Sequence, residues 1–230
     1  MRSERKAALL ELNKCRKSHI ISDLDALTKR ATDQNCEKGA SSWLSVLPLS
    51  DHGFTLNKAE FHDALALRYN RNITNLPSKC VCGEIFDVNH AMNCKKGGFV
   101  SIRHDTIRDF EANLLNKVCN DVETEPKLQP INNDEARLDI RARGFWRRGQ
   151  SAFFDVRFTN TNALSQVNTS VEKIYLKHEK EKKKKYIDRV LNTEQGSFTP
   201  LVFSINGGMS PECTLFHKQL AAKLTRNITK

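Results

Sequence analysis

The chain has 230 residues, and its 37 Lys and Arg residues outnumber its 27 Asp and Glu residues, which gives a formal net charge of +10. Such a charge predicts attraction to a polyanion, because each phosphate that is neutralised releases counterions; a basic protein that is merely soluble is the alternative. No apolar stretch approaches the roughly 20 residues that cross a bilayer, and MRSERK leads into no signal-peptide core, so we expect a soluble, intracellular protein without a membrane partner.

Residues 1–75 form a predicted helical linker region. Apolar residues recur at loose helical spacing among charges between residues 4 and 31, which predicts a helical arm or hairpin. A short helix is predicted in NKAEFHDALALRY, because Asn57 can cap it and Glu60 stands at the capping-box spacing.

Residues 76–98 contain a candidate metal site. Three thiols and one imidazole are the ligands of structural zinc, and here they occur in the pattern C-x-C-x7-H-x3-C as Cys80, Cys82, His90 and Cys94. Gly83 follows the second thiol and allows a tight turn around an ion. Buried free thiols beside an unrelated His are the alternative, but a segment so poor in apolar residues has little else to fold it.

Residues 99–230 are predicted to form a mixed α/β domain of the α+β kind, beginning after the break at Gly97 and Gly98. Helices are expected at about 101–119, 171–191 and 212–226. The strand-like runs are RLDIRAR, SAFFDVRF and PLVFSIN.

The first two of these runs predict a hairpin with a carboxylate pair. If the hairpin is symmetric about Arg147, Asp139 and Asp155 lie directly opposite each other. Like charges at such a position are destabilising unless a cation joins them. Carboxylate oxygens suit Mg²⁺ or Mn²⁺, which can generate a hydroxide nucleophile for attack on phosphorus.

Alternation along the hairpin predicts one apolar face and one charged face. The apolar face would hold Leu138, Ile140, Phe154, Val156 and Phe158. The opposite face would hold the two aspartates together with Arg137, Arg141 and Arg157. The arginines would bind the flanking phosphates; alternatively, they simply neutralise the aspartates on an exposed face.

The order of these motifs resembles the C-terminal end of reverse transcriptases from site-specific non-LTR retrotransposons. The similar motifs, within about residues 40–227, are the CxC…HxxxC knuckle, Arg103-His104-Asp105, LDI, FFDVR, EKEKKKKY and SFTPLVFSINGGM. Members of that family carry a zinc knuckle and a restriction-like endonuclease of the PD-(D/E)xK class downstream of the polymerase. The resemblance therefore implies a CCHC knuckle at 76–98 and a PD-(D/E)xK core at 99–230, preceded by a helical arm.

The resemblance also implies roles for individual residues. Asp139 and Asp155 match the two catalytic acids that bind Mg²⁺, and Glu111 on the preceding helix is an additional candidate acid. Nucleic-acid contacts are expected from Arg103, His104, Arg108, Arg137, Arg141 and Arg157. The chain departs from the family pattern at Asp105, where Asn is usual, and at Leu138, where Pro is usual.

Arg157 stands where the family's usual lysine would be, and an arginine cannot give up its proton. In these retroelement nucleases the lysine comes from a later helix, which matches the lysines before Tyr186. At 100° per residue Lys183 falls near the middle of that helix's apolar stripe, and Lys182 falls at its edge beside Tyr186. We therefore expect Lys183 to be catalytic, with Lys182 second and Tyr186 beside it; a solvated basic face is the alternative for most of the run.

These features together predict a metal-dependent DNA endonuclease that nicks target DNA for target-primed reverse transcription. Its expected partners are the target DNA, the element's RNA and a reverse transcriptase supplied upstream or in trans, and its expected compartment is the nucleus. No polymerase-like Asp-Asp turn occurs in the 230 residues. The alternative is a catalytically decayed nucleic-acid-binding module of a truncated or domesticated retroelement.

Overall fold

A computed structural model of the chain describes residues 2–37, 39–50, 53, 55–131 and 134–228. The chain divides into two compact units, residues 1–74 and residues 75–230. The Cys/His segment and the predicted nuclease core therefore belong to the same unit.

The first unit contains three helices: α1 (Arg2–Ser22), α2 (Ala26–Asn35) and α3 (Lys58–Arg68). Asp25 begins α2 by accepting hydrogen bonds from two backbone N–H groups of the first turn. The predicted capping box begins α3, because Asn57 accepts from the backbone of Glu60 and the Glu60 side chain accepts from the backbone of Asn57. The predicted helical character of this region is confirmed.

The second unit contains a four-stranded sheet and four helices among its described residues. In chain order these are α4 (Val88–Asn93), α5 (Phe99–Asn116), β1 (Asn120–Thr124), β2 (Ile140–Arg143), β3 (Ser151–Thr159), α6 (Val171–Asn192), β4 (Ser197–Ser204) and α7 (Pro211–Ile228). The strand order is β1-β2-β3-β4, antiparallel except for the parallel pair β3 and β4, which α6 connects as a crossover helix. The predicted mixed α/β class is confirmed.

The register of β2 against β3 is the one predicted from the sequence. Ile140 pairs with Phe154 and Arg143 pairs with Ser151, so the hairpin is symmetric about Arg147. The register ends at Ile140 and Phe154. Asp139 lies just before β2; its N–H donates to the carbonyl of Phe154 at 3.1 Å and its Oδ2 accepts from the N–H of Val156 at 2.5 Å, so Asp139 lies beside Asp155 on β3.

The predicted apolar face is found for Ile140, Phe154, Val156 and Phe158, but the opposite face is not an open charged surface, because helices cover both faces of β3. Helices α5 and α7 pack on one face, around a core that includes Leu115, Ile140, Phe154, Val156 and Phe216. Helix α6 packs on the other face, around a second core of Leu128, Leu138, Phe153, Tyr186, Val190 and Phe198.

Leu138 belongs to this second core and not, as predicted, to the face of Ile140. It precedes β2, and its N–H donates to the carbonyl of Pro126 at 3.2 Å. Strict alternation therefore does not extend to it. Among the described helices, none is both long enough and apolar enough to cross a membrane.

Candidate active site and zinc site

The four predicted zinc ligands lie together. The ligand atoms of Cys80, Cys82, His90 and Cys94 all lie within 4.8 Å of one another. The Cys80 and Cys94 sulfurs are 3.8 Å apart, and the Cys82 sulfur is 3.2 Å from Nε2 of His90. Tetrahedral zinc with Zn–S bonds of about 2.3 Å places two thiolates about 3.8 Å apart. The cluster could therefore bind a metal such as zinc.

Local backbone structure brings these ligands together. Gly83 has a φ of 94°, in the left-handed region, which closes the turn after Cys82. Asp87 caps α4 by accepting from the N–H of His90, and α4 ends at Cys94. Burial raises the pKa of the Cys94 thiol, but hydrogen bonds from the Gly97 backbone and neighbouring thiols bring that pKa down to about 7. A lowered thiol pKa favours the thiolate that binds metal.

Asp139 is fixed by two donors. Its Oδ2 accepts a hydrogen bond from the backbone N–H of Val156 at 2.5 Å and lies 3.3 Å from Nε2 of His104. His104 stands on α5 and was expected to contact nucleic acid. Its hydrogen bond to Asp139 raises its pKa to about 9, against the lowering effect of burial, with a further contribution from Asp105. His104 is therefore a cation at neutral pH.

Asp155 is paired with Lys182. Its side chain is buried on β3, and the ammonium of Lys182 lies 2.5 Å from its Oδ2. Among the described residues this oxygen has no well-aligned hydrogen bond, so the contact is an ion pair. Burial raises the pKa of Asp155, which the positive charge of Lys182 lowers only in part and the negative charge of Asp139 raises further.

The expectation that Lys183 would reach Asp155 is therefore wrong. The Lys183 ammonium pairs with Glu212 at the start of α7. The Lys182 ammonium lies beside Asp155, at 5.9 Å from the centroid of the Tyr186 ring. Tyr186 is buried, with its ring 5.7 Å from that of Phe198. The helical-wheel argument fails here because α7 lies beside α6 and supplies an acid to Lys183.

Glu111 does not join the aspartate pair. It is buried on α5, and its Oε1 lies 2.8 Å from Nε2 of His217 on α7. Nδ1 of the same imidazole is 2.8 Å from the carbonyl oxygen of Cys213. Burial lowers the pKa of His217, but the bond to Glu111 raises it, and the net shift is upward. This pair stabilises the packing of α5 on α7, where an isolated buried carboxylate would be costly.

The predicted ring of arginines around the aspartates does not form, because carboxylates on neighbouring elements take up the guanidinium groups. Arg108 pairs with Asp105, Asp109 and Glu125 at 2.7–3.0 Å. The remaining pairs, all at 2.8–2.9 Å, are Arg137 with Glu125, Arg141 with Glu123, and Arg157 with Glu181.

Arg103 turns away from solvent and was also expected to contact nucleic acid. Its Nη1 lies 3.1 Å from Sδ of Met92, its Nη2 donates to the Met92 carbonyl at 3.3 Å, and its guanidinium carbon lies 4.8 Å from the centroid of the Phe158 ring. Burial lowers the pKa of Arg103. The side chain therefore joins the Cys/His segment to the sheet.

Sequence reasoning assigned no role to Glu181. Its Oε2 is 2.8 Å from Arg157 and 3.3 Å from Nδ1 of His178. His178 in turn contacts the Thr159 hydroxyl at 3.0 Å. Helical spacing could have indicated the i,i+3 pair of Glu181 with His178, whereas the contacts with Arg157 and Thr159 depend on how α6 crosses β3.

The aspartate pair has oxygens that could hold a divalent cation. Oδ2 of each aspartate has a cationic neighbour, whereas within the described residues neither Oδ1 has a hydrogen bond or ion pair. Carboxylate oxygens are a ligand type that suits Mg²⁺ and Mn²⁺.

Comparison with known proteins gives no assignment: no family model matches this chain, and no curated protein sequence matches it significantly.

Proposed function

We propose that this chain is a Mg²⁺- or Mn²⁺-dependent endonuclease that nicks target DNA. The observation that carries the proposal is the position of four groups from α5, the residue before β2, β3 and α6: His104 lies beside Asp139, and Lys182 lies beside Asp155. Two neighbouring carboxylates, each with a cationic side chain beside it, suit the cleavage of phosphodiesters, because negative charge develops on the phosphate oxygens during cleavage.

Asp139 and Asp155 would hold the metal ion through their Oδ1 atoms, and the bound ion would supply a hydroxide nucleophile at neutral pH. Val156 and His104 fix the position of Asp139 through its other oxygen. Lys182 opposes the raised pKa of Asp155 and so favours the carboxylate over the acid. Its ammonium also offers a donor to a phosphate oxygen or to the attacking water.

The position of Lys182 supports the proposed nuclease activity, although Arg157 stands where the strand would carry a lysine. Arg157 is occupied by Glu181, so the strand offers no ammonium to the site. Lys182 supplies one from α6, and the ring of Tyr186 lies beneath its side chain. Tyr186 therefore acts as a positioning residue for Lys182 in this proposal, whereas Glu111 and Lys183 have no role in the chemistry.

Binding of the DNA backbone requires positive side chains free of acidic partners. The arginines predicted for this task are paired with carboxylates. Exposed lysines on the outer side of α6 have no ion pair within the described chain; they are Lys173, Lys177, Lys180 and Lys184. We assign contacts with the DNA backbone away from the cut to these lysines.

The retroelement context is part of the same proposal. A nick with a free 3′ end would prime a reverse transcriptase supplied upstream or in trans, with the element's RNA as template. These reactions would take place in the nucleus. The zinc segment would be structural, since its four ligands complete a tetrahedron without an open position for substrate.

A nucleic-acid-binding module without catalysis is the second candidate. The observation that favours it is the charge balance at the aspartates, where His104 and Lys182 already neutralise both carboxylates without a metal ion. A supercoiled-plasmid assay separates the two. An open-circular product that appears with Mg²⁺ or Mn²⁺ and disappears with EDTA supports the nuclease, whereas DNA binding with no such product supports the binding module.

A further inference from the structure

We propose that Arg103 is a positioning residue that couples the zinc-binding segment to the carboxylate site. The contacts between Arg103 and the zinc-binding segment do not depend on the proposed function. The expected effect on Asp139 does rest on the proposed function. Loss of zinc from the Cys/His cluster would then change the contacts of Arg103 and, through them, the position of the neighbouring His104.

The contacts of Arg103 join three elements. It is carried by α5, both terminal nitrogens contact Met92 of α4, and the guanidinium lies over Phe158 of β3. Its Nε is buried and has no hydrogen-bond partner among the described residues. A buried guanidinium with an unsatisfied nitrogen is costly unless its other contacts are retained, so this arrangement depends on α4 staying in place.

A second contact anchors α4 at the same end of the sheet. Asn160, directly after β3, donates from its side-chain amide to Oδ1 of Asn89 at 2.8 Å. Asn89 and Met92 flank the ligand His90, and Cys94 caps the same helix. Both of these contacts of α4 therefore lie within two residues of a proposed zinc ligand.

Zinc is what would keep α4 folded. The helix has six residues, none of them buried, and so short a helix is not stable alone in water. Binding of the ion by His90 and Cys94 would stabilise this helix in place of apolar packing. Without zinc, α4 would unfold, and Arg103 would lose both of its hydrogen-bond acceptors.

The carboxylate site would respond because it shares elements with Arg103. The next residue along α5 is His104, whose imidazole contacts Asp139. Phe158, beneath the guanidinium, is on β3 with Asp155. Loss of the Arg103 contacts would shift the first turns of α5 relative to β3, and with them the imidazole that contacts Asp139.

Coupling between two sites is reciprocal, so the inference is tested first on zinc. Arg103→Gln removes the guanidinium, and Arg141→Gln is a matched control that removes the same charge from an exposed pair with Glu123. Zinc transfer to a chromogenic chelator should be about tenfold faster in Arg103→Gln than in wild type. Arg141→Gln should match wild type, and Asn160→Ala should fall between them. Equal transfer rates in all four proteins would overturn the inference.

The second measurement is Mn²⁺ affinity by calorimetry. Arg103→Gln and the zinc-site variant Cys82→Ser should each weaken Mn²⁺ binding, and the double variant should be no weaker than the weaker single one, because both act through one contact. Additive losses would overturn the coupling. If wild type neither binds Mn²⁺ nor nicks DNA, the proposed function fails while the zinc-transfer result still decides the link of Arg103 to the knuckle. If Arg103→Gln does not fold, the Asn160→Ala comparison decides it.

Discussion

Lys182 on α6 places its ammonium 2.5 Å from Oδ2 of Asp155 on β3. This ion pair brings a lysine to a strand whose own basic residue, Arg157, is turned to Glu181. It identifies the member of the lysine run that can act on Asp155.

Removal of the Lys182 ammonium should slow cleavage without preventing DNA binding. We expect Lys182→Ala to lower the nicking rate at least about tenfold, on the order of 1.4 kcal/mol of transition-state stabilisation. Lys183→Ala is the matched control, because that ammonium pairs with Glu212 instead. Single-turnover nicking at saturating DNA measures both, and a larger loss in Lys183→Ala would contradict the assignment.

Replacement of Asp155 should have a pH-dependent effect on stability. Because its pKa is raised in the folded chain, its contribution to folding is fully present below about pH 4 and is lost as the pH rises. Asp155→Asn should therefore gain stability relative to wild type between about pH 4.5 and pH 7, measured by urea unfolding in EDTA. A stability difference that stays constant over that range would show that burial does not destabilise the ionised carboxylate.

His104 should show the opposite dependence of stability on pH, because it is a base with a raised pKa. Its contribution is fully present below about pH 6.5, the unfolded value. That contribution is lost as the pH rises through the folded pKa of about 9. The stability advantage of wild type over His104→Gln should therefore shrink from about pH 6.5 upward. Urea unfolding in EDTA measures this, and an advantage that grows with pH would exclude the pairing with Asp139.

The Cys/His cluster should hold one zinc ion per chain. Cysteine and histidine side chains bind zinc only in their deprotonated forms, so acid should release the ion. A chelator should remove it by competition, and either treatment should unfold α4. Elemental analysis should find about one zinc in wild type and much less in Cys82→Ser. Cys36→Ser, an exposed thiol in the first unit, serves as the control. Equal zinc content in the two variants would rule out this ligand set.

The exposed lysines of α6 should bind phosphates without affecting catalysis. Lys177, Lys180 and Lys184 lie on the side of the helix opposite Lys182 and span about 10 Å. Their combined replacement by Gln should reduce the slope of log affinity against log salt by roughly 0.9 per lost contact. The nicking rate at saturating DNA should be unchanged. The matched control replaces the exposed Lys117, Lys127 and Lys218; equal losses in both sets would indicate net charge alone.

Local patterns predicted much of the second unit. The β2/β3 register about Arg147 follows from turn glycines between two β-rich runs, and the clustering of the Cys/His ligands follows from their spacing. Strand β1 was missed, because its sequence NDVET is polar and mostly exposed at the edge of the sheet. Edge strands of this kind show no alternation that a sequence pattern could reveal.

The partners of individual charges could not be predicted. A helical wheel gives the direction of Lys183 but not the presence of Glu212 beside it. Likewise, Glu123 and Glu125 neutralise arginines that the sequence alone left free for DNA. These pairings arise from contacts between elements distant in the chain, whereas propensity and periodicity describe one element at a time.

The most direct test of nuclease activity is plasmid nicking by wild type and by Asp155→Asn, each zinc-loaded, in Mg²⁺, in Mn²⁺ and in EDTA. We expect open-circular product from wild type in either metal, none in EDTA, and none from Asp155→Asn, with DNA affinity little changed by the substitution. Metal-independent nicking, or equal nicking by wild type and Asp155→Asn, would contradict the proposed function.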